Sequence, residues 1–467
     1  MQHMATRALG FCASVVLAIA GCSPADPILP PLVVGDAAPE AADTLRDTRP
    51  DTPVDTWKEH VPKVPRCPAP DGGVQADAPL DALDALDALD ALDALESGSA
   101  EDAATDAEAG PYSPTPVQVV HSGGPLLRAP RVVPITFDGD PNRDDIEDFT
   151  AAFGCTSYWR AISAEYGIGD ATGGTPVHVK EAPPAEVADR DISKFIRTNL
   201  IAKTAGWDAP TPDTLYVIYY PFTTTVTLGA TSVGCSNFYG YHKSLTLPDG
   251  SNVAYAVILA CEDLDQITGT TSHEIIEAAT DPFPYPAPAY QTVDDDHAVY
   301  ALFRGGEVGD VCVDEISHNH FVPTGFPFTV QRSWSNAASR AGHDPCVPSP
   351  GGVYFNTVPI LRDRVGLKVA GWVDTLGVQI PLGESRTIEV RLTADGPIDS
   401  WNVFAKDTSP DGVHLTFAFD KSTGKSGDKL ALTITKKSES KMLGAEPFAI
   451  HSTDGKRKTL SYGVVGH

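Results

Sequence analysis

His273, Glu274 and Glu277 lie in the stretch Thr271-Ser272-His273-Glu274-Ile275-Ile276-Glu277-Ala278-Ala279-Thr280-Asp281-Pro282. On a helix, His273 and Glu277 fall one turn apart on the same face, with Glu274 beside them. This is the spacing of the H-E-x-x-H helix, in which two metal ligands flank a carboxylate general base. Here a glutamate takes the place of the second histidine. Further ligands must come from elsewhere in the chain. The turn Gly305-Gly306-Glu307-Val308-Gly309-Asp310-Val311-Cys312 offers Glu307 and Asp310 three residues apart. Its glycines let the backbone bend sharply and bring short carboxylates close to a cation. Asp281 follows His273 by eight residues near the same helical face and could ligate too, although Pro282 and the helix end make a capping or supporting role more natural. His242 is a further candidate for lining the site.

A cation held by His273, Glu277 and Glu307 would be zinc first of all. The chemistry would be hydrolysis, most naturally of a peptide bond, with Glu274 as general base. Two carboxylates in place of histidines also suit calcium, magnesium or manganese, so a structural cation without catalysis is the second reading. The same residues admit plainer roles. His273 and Glu277 could form a helix-surface ion pair, His242 could be a hydrogen-bonded structural histidine, and Glu307 and Asp310 could organise a turn beside a disulfide.

The elements that would carry these residues are legible in the region 111–350. Val132–Phe137, Leu215–Tyr220 and Val253–Leu259 are apolar, β-rich runs of strand length. Helical spacing covers Asp144 to Tyr166, with Ile146, Phe149, Phe153 and Trp159 as core contacts, and also Val187 to Ala205. The H-E-x-x-E helix follows the third strand, after Asp263-Leu264-Asp265-Gln266, and loop-rich sequence runs from Phe283 to Cys346. We expect an α+β zincin-like domain with a mixed sheet. From 351 to 467 the pattern changes to strict alternation in Thr387–Leu392, Val413–Phe419 and Leu430–Ile434, separated by Gly/Asp/Ser turns. That spacing predicts an immunoglobulin-like β-sandwich with Trp401 and Phe417 in its core.

The N-terminus reads as an export signal over residues 1–21. Arg7 precedes the apolar run Leu9–Ala20, which is too short to span a bilayer, and Ile19-Ala20-Gly21-Cys22 matches the lipoprotein pattern in which Cys22 is lipidated. An ordinary secretory signal cleaved near Ala20 or Ser23 is the alternative. Residues 22–110 form an acidic, low-complexity spacer, expected to be disordered, with an Asp-Ala-Leu triplet repeated from Asp81 to Leu95. Between Ser23 and Gly110 there are 20 acidic and 5 basic residues, about half the excess behind a net charge of -28. Such a chain is a poor partner for nucleic acid. Export favours disulfides. Cys235 with Cys261 and Cys312 with Cys346 each close a modest loop, leaving Cys155 free or reaching Cys67. No C-x-x-C is present to form a thiolate zinc site.

Several stretches together resemble one family: His121–Pro125, Tyr158-Trp159, Cys235–His242, Ser272–Pro282, Glu307–Cys312 and Val330–Asn336. They are similar to bacterial secreted relatives of the plant phosphate-induced (Exordium-like) proteins. The resemblance covers roughly residues 112 to 350 and is most specific in the S-H-E-x-x-E-A-x-T-D-P helix and the G-E-x-G-D-x-C turn. Plant members carry an H-E-L-A-E helix followed by Ser-Asn-Pro where this chain has Thr280-Asp281-Pro282. The resemblance therefore implies His273, Glu277, Glu307 and Asp310 as the ligand set and places Asp281 outside it. It implies an extracellular setting and a shared site but carries over no substrate. Two functions follow as expectations: a metal-dependent hydrolase on the cell envelope, or a non-catalytic surface protein that binds polysaccharide, peptide or protein.

Overall fold

Thr214–Tyr220 is buried at every position, as a strand must be when both faces of its sheet are covered. In a computed structural model, which describes residues 64–67, 115–313, 319–369 and 371–467, this strand is the centre of the first large sheet. The expected signal at 1–21, Cys22 and nearly all of the 22–110 spacer lie outside the described residues. The sheet order runs Thr172–Gly173, Arg131–Phe137, Thr214–Tyr220, Asn252–Leu259, Gly240–Thr246. Its strands are parallel except the last, which pairs antiparallel with Asn252–Leu259. Alternate residues of the central strands serve two cores. Leu215, Val217, Tyr219, Ala254, Ala256 and Ile258 face the helices Arg143–Ala152, Ser157–Ser163 and Leu264–Thr280. Tyr216, Ile218, Tyr220, Tyr255 and Val257 face Ile192, Ile196 and Leu200 of the helix Asp189–Ala202. The chain is thus mixed α and β, with strands predominating.

Two expected helices are cut by local chemistry. The Asp144–Tyr166 stretch breaks after Ala152, where Gly154 sits so close to Ala171 that a Cβ would lie 2.2 Å from its carbonyl oxygen. Cys155 is bonded there to Cys67, and the Thr156 side chain caps a new helix by accepting the Trp159 N–H at 3.1 Å. Ile146, Phe149, Phe153 and Trp159 are all buried in the first core. The Val187–Ala205 stretch divides into a short strand, Glu186–Ala188, and the helix Asp189–Ala202, which ends at Lys203 in the left-handed region (φ 51°).

Disulfides join Cys235 to Cys261 and Cys312 to Cys346. Through the Cys67–Cys155 bond, Val64–Cys67, which falls in the stretch read as spacer, is fastened to the folded region, with Val64 packed against the first core.

Residues beyond 351 form a four-stranded sheet (Phe355–Pro359, Ser385–Ala394, Lys429–Lys436, Leu415–Phe419) and a six-stranded one. The six-stranded sheet runs Asp363–Lys368, Trp372–Gln379, Lys458–Gly466, Glu446–Thr453, Trp401–Asp407, Thr423–Gly424. Their inward residues share one core, including Val390, Leu432, Ile434, Trp401, Phe448 and Ile450. Trp401 is buried, with its Nε1–H on Thr357 Oγ1 at 3.1 Å. Phe417 is half-buried at the edge of that core, against Phe448. The strand expected over Val413–Phe419 begins only at Leu415, because Asp407 Oδ2 accepts the N–H groups of His414 and Leu415 and holds Val413 out in solvent.

Candidate metal centre

The helix Leu264–Thr280 is held to the strand before it by two side chains. Asp263 caps it, accepting the Gln266 N–H at 3.1 Å. Gln266 reaches back: its Oε1 accepts the N–H groups of Cys261 and Glu262 at 2.9 and 3.1 Å, and its Nε2 donates to Leu259 O at 3.1 Å. The second half of the helix is buried on almost every side, so its polar groups need partners within the protein. Thr271 and Thr280 bond back to the carbonyls of Ile267 and Ile276. Ser272 Oγ accepts the Gln331 N–H at 2.8 Å. Glu274 and Glu277, each 3% exposed, have no such simple solution.

His242 enters from the edge strand Gly240–Thr246. Its Nδ1 lies 3.5 Å from Glu274 Oε2 and 3.6 Å from Glu277 Oε2, and its Nε2 lies 3.7 Å from Glu307 Oε2. Nε2 also donates to Asp281 O at 3.2 Å. His273 Nε2 sits 3.1 Å from Glu277 Oε2, 3.7 Å from Asp310 Oδ1 and 4.0 Å from Glu274 Oε1. The Asp310 N–H donates to Glu277 Oε1 at 2.8 Å. Asp281 caps the helix C-terminus, and its Oδ1 accepts the Ala289 N–H at 2.8 Å.

The fold therefore brings His242, His273, Glu274, Glu277, Asp281, Glu307 and Asp310 into one cluster. Two triads within it have ligand atoms no more than 4.8 Å apart: His242/Glu277/Glu307 and His273/Glu274/Glu277. Glu277 belongs to both. His242, expected only to line the site, stands in a triad, whereas Asp310 belongs to neither and reaches the cluster through its contact with His273. Glycines make the approach possible. A Cβ on Gly309 would lie 2.8 Å from both Glu277 Oε1 and His273 Nδ1, and one on Gly240 would lie 2.9 Å from Glu274 Oε1. Gly305, at φ +69°, adopts the left-handed conformation that turns the Glu307–Asp310 segment inward.

Five carboxylates share this site with two imidazoles, and among the described residues no Lys or Arg forms an ion pair with any of them. Burial pushes Glu274 up and pushes Glu307 well above the carboxylate range, the latter reinforced by Glu277, Asp310 and Asp281. Burial and then Glu277 raise Asp310 to about 8. Burial also raises Asp281. Glu277 behaves oppositely: burial works against its charge, but His273, His242 and the Asp310 N–H outweigh it and hold Glu277 low. Burial disfavours a charged His273, yet Glu277, Glu274 and Asp310 overcome it and push the imidazole up to about 10. His242 is raised against the same opposition by Glu274 and Glu277. Without a cation, then, the cluster must hold several protons to remain buried.

His273 Nδ1, Glu274 Oε2 and Asp281 Oδ2 are buried without an aligned hydrogen-bond partner. Imidazole nitrogen with carboxylate oxygen, several carboxylates in excess of local cations, and unsatisfied buried acceptors form a donor set that suits a divalent ion. Solvent reaches the cluster on the Asp310 side, where that side chain is 34% exposed against 12% for His273 and 4% for Glu277.

Two residues of the site were given no role from the sequence. Gln331 ties the helix to the turn, donating its N–H to Ser272 Oγ and its Nε2–H to Gly309 O at 3.0 Å. It lies within the Val330–Asn336 stretch, so a signal was present, though not its meaning. His320 packs on Gly269, one turn before His273. Nothing in its local sequence points there.

No family model and no curated protein matches the chain. A crystal structure of a FixG-related protein from Vibrio parahaemolyticus is similar at 13% identity, covering 25% of this chain and 95% of that one, with a TM-score of 0.16, a likeness too slight to support any argument.

Proposed function

We propose that the chain is an exported, lipid-anchored relative of the Exordium-like proteins, whose zincin-like domain binds a divalent metal, zinc foremost, and hydrolyses peptide-type bonds. The carrying observation is the convergence of two imidazoles and four other carboxylates around Glu277, with no Lys or Arg paired to them among the described residues. His242, His273, Glu277 and Glu307 would hold the ion, and Asp310 would position His273. When bound, the metal would polarise a substrate carbonyl and acidify a water. Glu274, whose carboxyl is raised by burial, would take the proton from the attacking water and return it to the leaving amine. Gln331 and the Asp310 N–H keep the turn and Glu277 in register.

A second reading rests on the oxygen-rich donors and their near-complete burial. A calcium or manganese ion would then pin the Glu307–Asp310 turn to the helix without chemistry, and the protein would bind polysaccharide, peptide or protein at the cell surface. Under either reading the facing sheets beyond residue 351 act as an immunoglobulin-like spacer or binding module.

Elemental analysis of protein purified without chelators, together with Glu274→Gln, separates the readings. The hydrolase retains about one metal equivalent in both forms and loses turnover of a peptide library in the variant. Metal without turnover in either form favours the structural ion. Metal-free wild-type protein with an unchanged melting temperature in EDTA refutes both.

A further inference from the structure

Lys436 and Glu446 are fully buried, each side chain at 0% exposure, with Lys436 Nζ 3.0 Å from Glu446 Oε2. Lys436 ends a strand of the four-stranded sheet, and Glu446 begins a strand of the six-stranded sheet facing it. Burying an ion pair carries a heavy desolvation penalty that mutual attraction offsets only with good geometry and further hydrogen bonds. The geometry here is poor as an ion pair: Glu446 Oε2 has no aligned hydrogen bond despite the short approach. It is better as a reaction geometry, since amine and carboxyl are held in contact and away from water.

From this pair we infer that Lys436 and Glu446 condense into an isopeptide bond that ties the two sheets together covalently. Every participant is in place. Transfer of one ammonium proton across the contact gives an amine and a carboxylic acid, the forms that react. The Nζ lone pair attacks Cδ. The Ser440 N–H, 2.9 Å from Glu446 Oε1, stabilises the charge that develops on that oxygen. His467 Nδ1, 2.6 Å from Nζ, accepts the second proton, with Glu439 Oε1 3.2 Å away to stabilise the imidazolium. His467 then passes that proton to the departing hydroxyl. One C–N bond forms, one C–O bond breaks and one water leaves; no oxidant or reductant is involved. The product replaces two buried charges with one neutral amide, whose N–H can keep the Gly466 carbonyl, now 3.3 Å from Nζ, as acceptor.

The test is peptide mapping of the full-length, folded wild-type protein, denatured and digested with trypsin. Cleavage after Lys437 and Lys441 should leave a branched peptide joining the Lys436 and Glu446 segments, lighter than their sum by the mass of one water. Glu446→Ala should release the two segments as separate linear peptides. Recovery of both wild-type segments as unmodified linear peptides overturns the proposal, as does a water loss that fragmentation places at other residues. Because the deciding measurement is on the wild type, a variant that fails to fold does not affect the outcome.

Discussion

If the proposed metal site is right, the chelated protein should lose stability as pH rises from 5 to 8. Without a cation, Asp310 in the folded chain is raised from 3.8 to about 8, and His273 from 6.5 to about 10. Both shifts have the same sign. A raised carboxyl keeps its proton when the unfolded chain has released it, so stability falls as pH climbs from about 4 to about 8. A raised imidazole contributes stability that is complete below its unfolded value and disappears as pH rises through about 10. Glu277, held low, loses its contribution only as pH falls below the ordinary glutamate range, outside this window. Between pH 5 and 8 the upper bound is about 4 kcal/mol from Asp310 and about 2 kcal/mol from His273. Asp310 is about one-third exposed and the groups share protons, so screening reduces the sum to about 2 kcal/mol. That corresponds to a melting temperature lower by about 3–6 °C at pH 8 than at pH 5 in chelator. Bound metal displaces those protons, so stabilisation by zinc should grow across the same interval. The assay is thermal unfolding by circular dichroism at both pH values, in EDTA and in a slight excess of zinc. Asp310→Asn serves as the control that isolates the site from the general acidity of the chain, and it should make the slope in EDTA shallower, the remainder coming from Glu307 and His273. A chelated wild type whose melting temperature is level or rises from pH 5 to 8, or a zinc shift equal at both, would refute the reasoning.

Two further expectations follow from particular contacts. Gly309→Ala places a Cβ 2.8 Å from Glu277 Oε1 and His273 Nδ1, and ordinary contact begins at 3.4 Å. Both donors must therefore shift by roughly half an ångström, beyond the tolerance of a metal site, and affinity measured by competition with a chromophoric chelator should fall about 10- to 100-fold. An unchanged affinity would mean that Glu277 and His273 do not bind one ion. For the anchor, Cys22→Ser should move the protein from the membrane pellet to the soluble fraction on cell fractionation, and an unmoved protein would remove the lipid from the proposal.

Much of this organisation could be read along the chain, and the exceptions have physical causes. Strands such as Leu215–Tyr220 and Val253–Leu259 were legible because a strand buried on both faces is apolar at every position. The site helix was legible because its ligands lie within one turn. Its partners were harder to rank. His242 lies 31 residues before His273 in sequence but meets the same Glu274 and Glu277 from the edge strand, while Gln331 and His320 reach the helix only after a loop-rich segment has folded back. The break at Gly154 escaped periodicity because its cause, contact with Ala171 and the disulfide to Cys67, is non-local.

Local order in the sequence determined which residue types could do chemistry: a histidine and two glutamates at helical spacing, a glycine-flanked acidic turn, and alternating strands beyond residue 351. Tertiary structure decided that Glu277 is the shared member of two triads, that His242 stands beside it, and that all of the acids but Asp310 are largely shut off from water. The division has one reason. Spacing along a helix or strand is set by backbone geometry, but burial and the meeting of distant side chains are set by how sheets and helices pack, and it is burial that turns ordinary carboxylates and imidazoles into strongly coupled acids and bases.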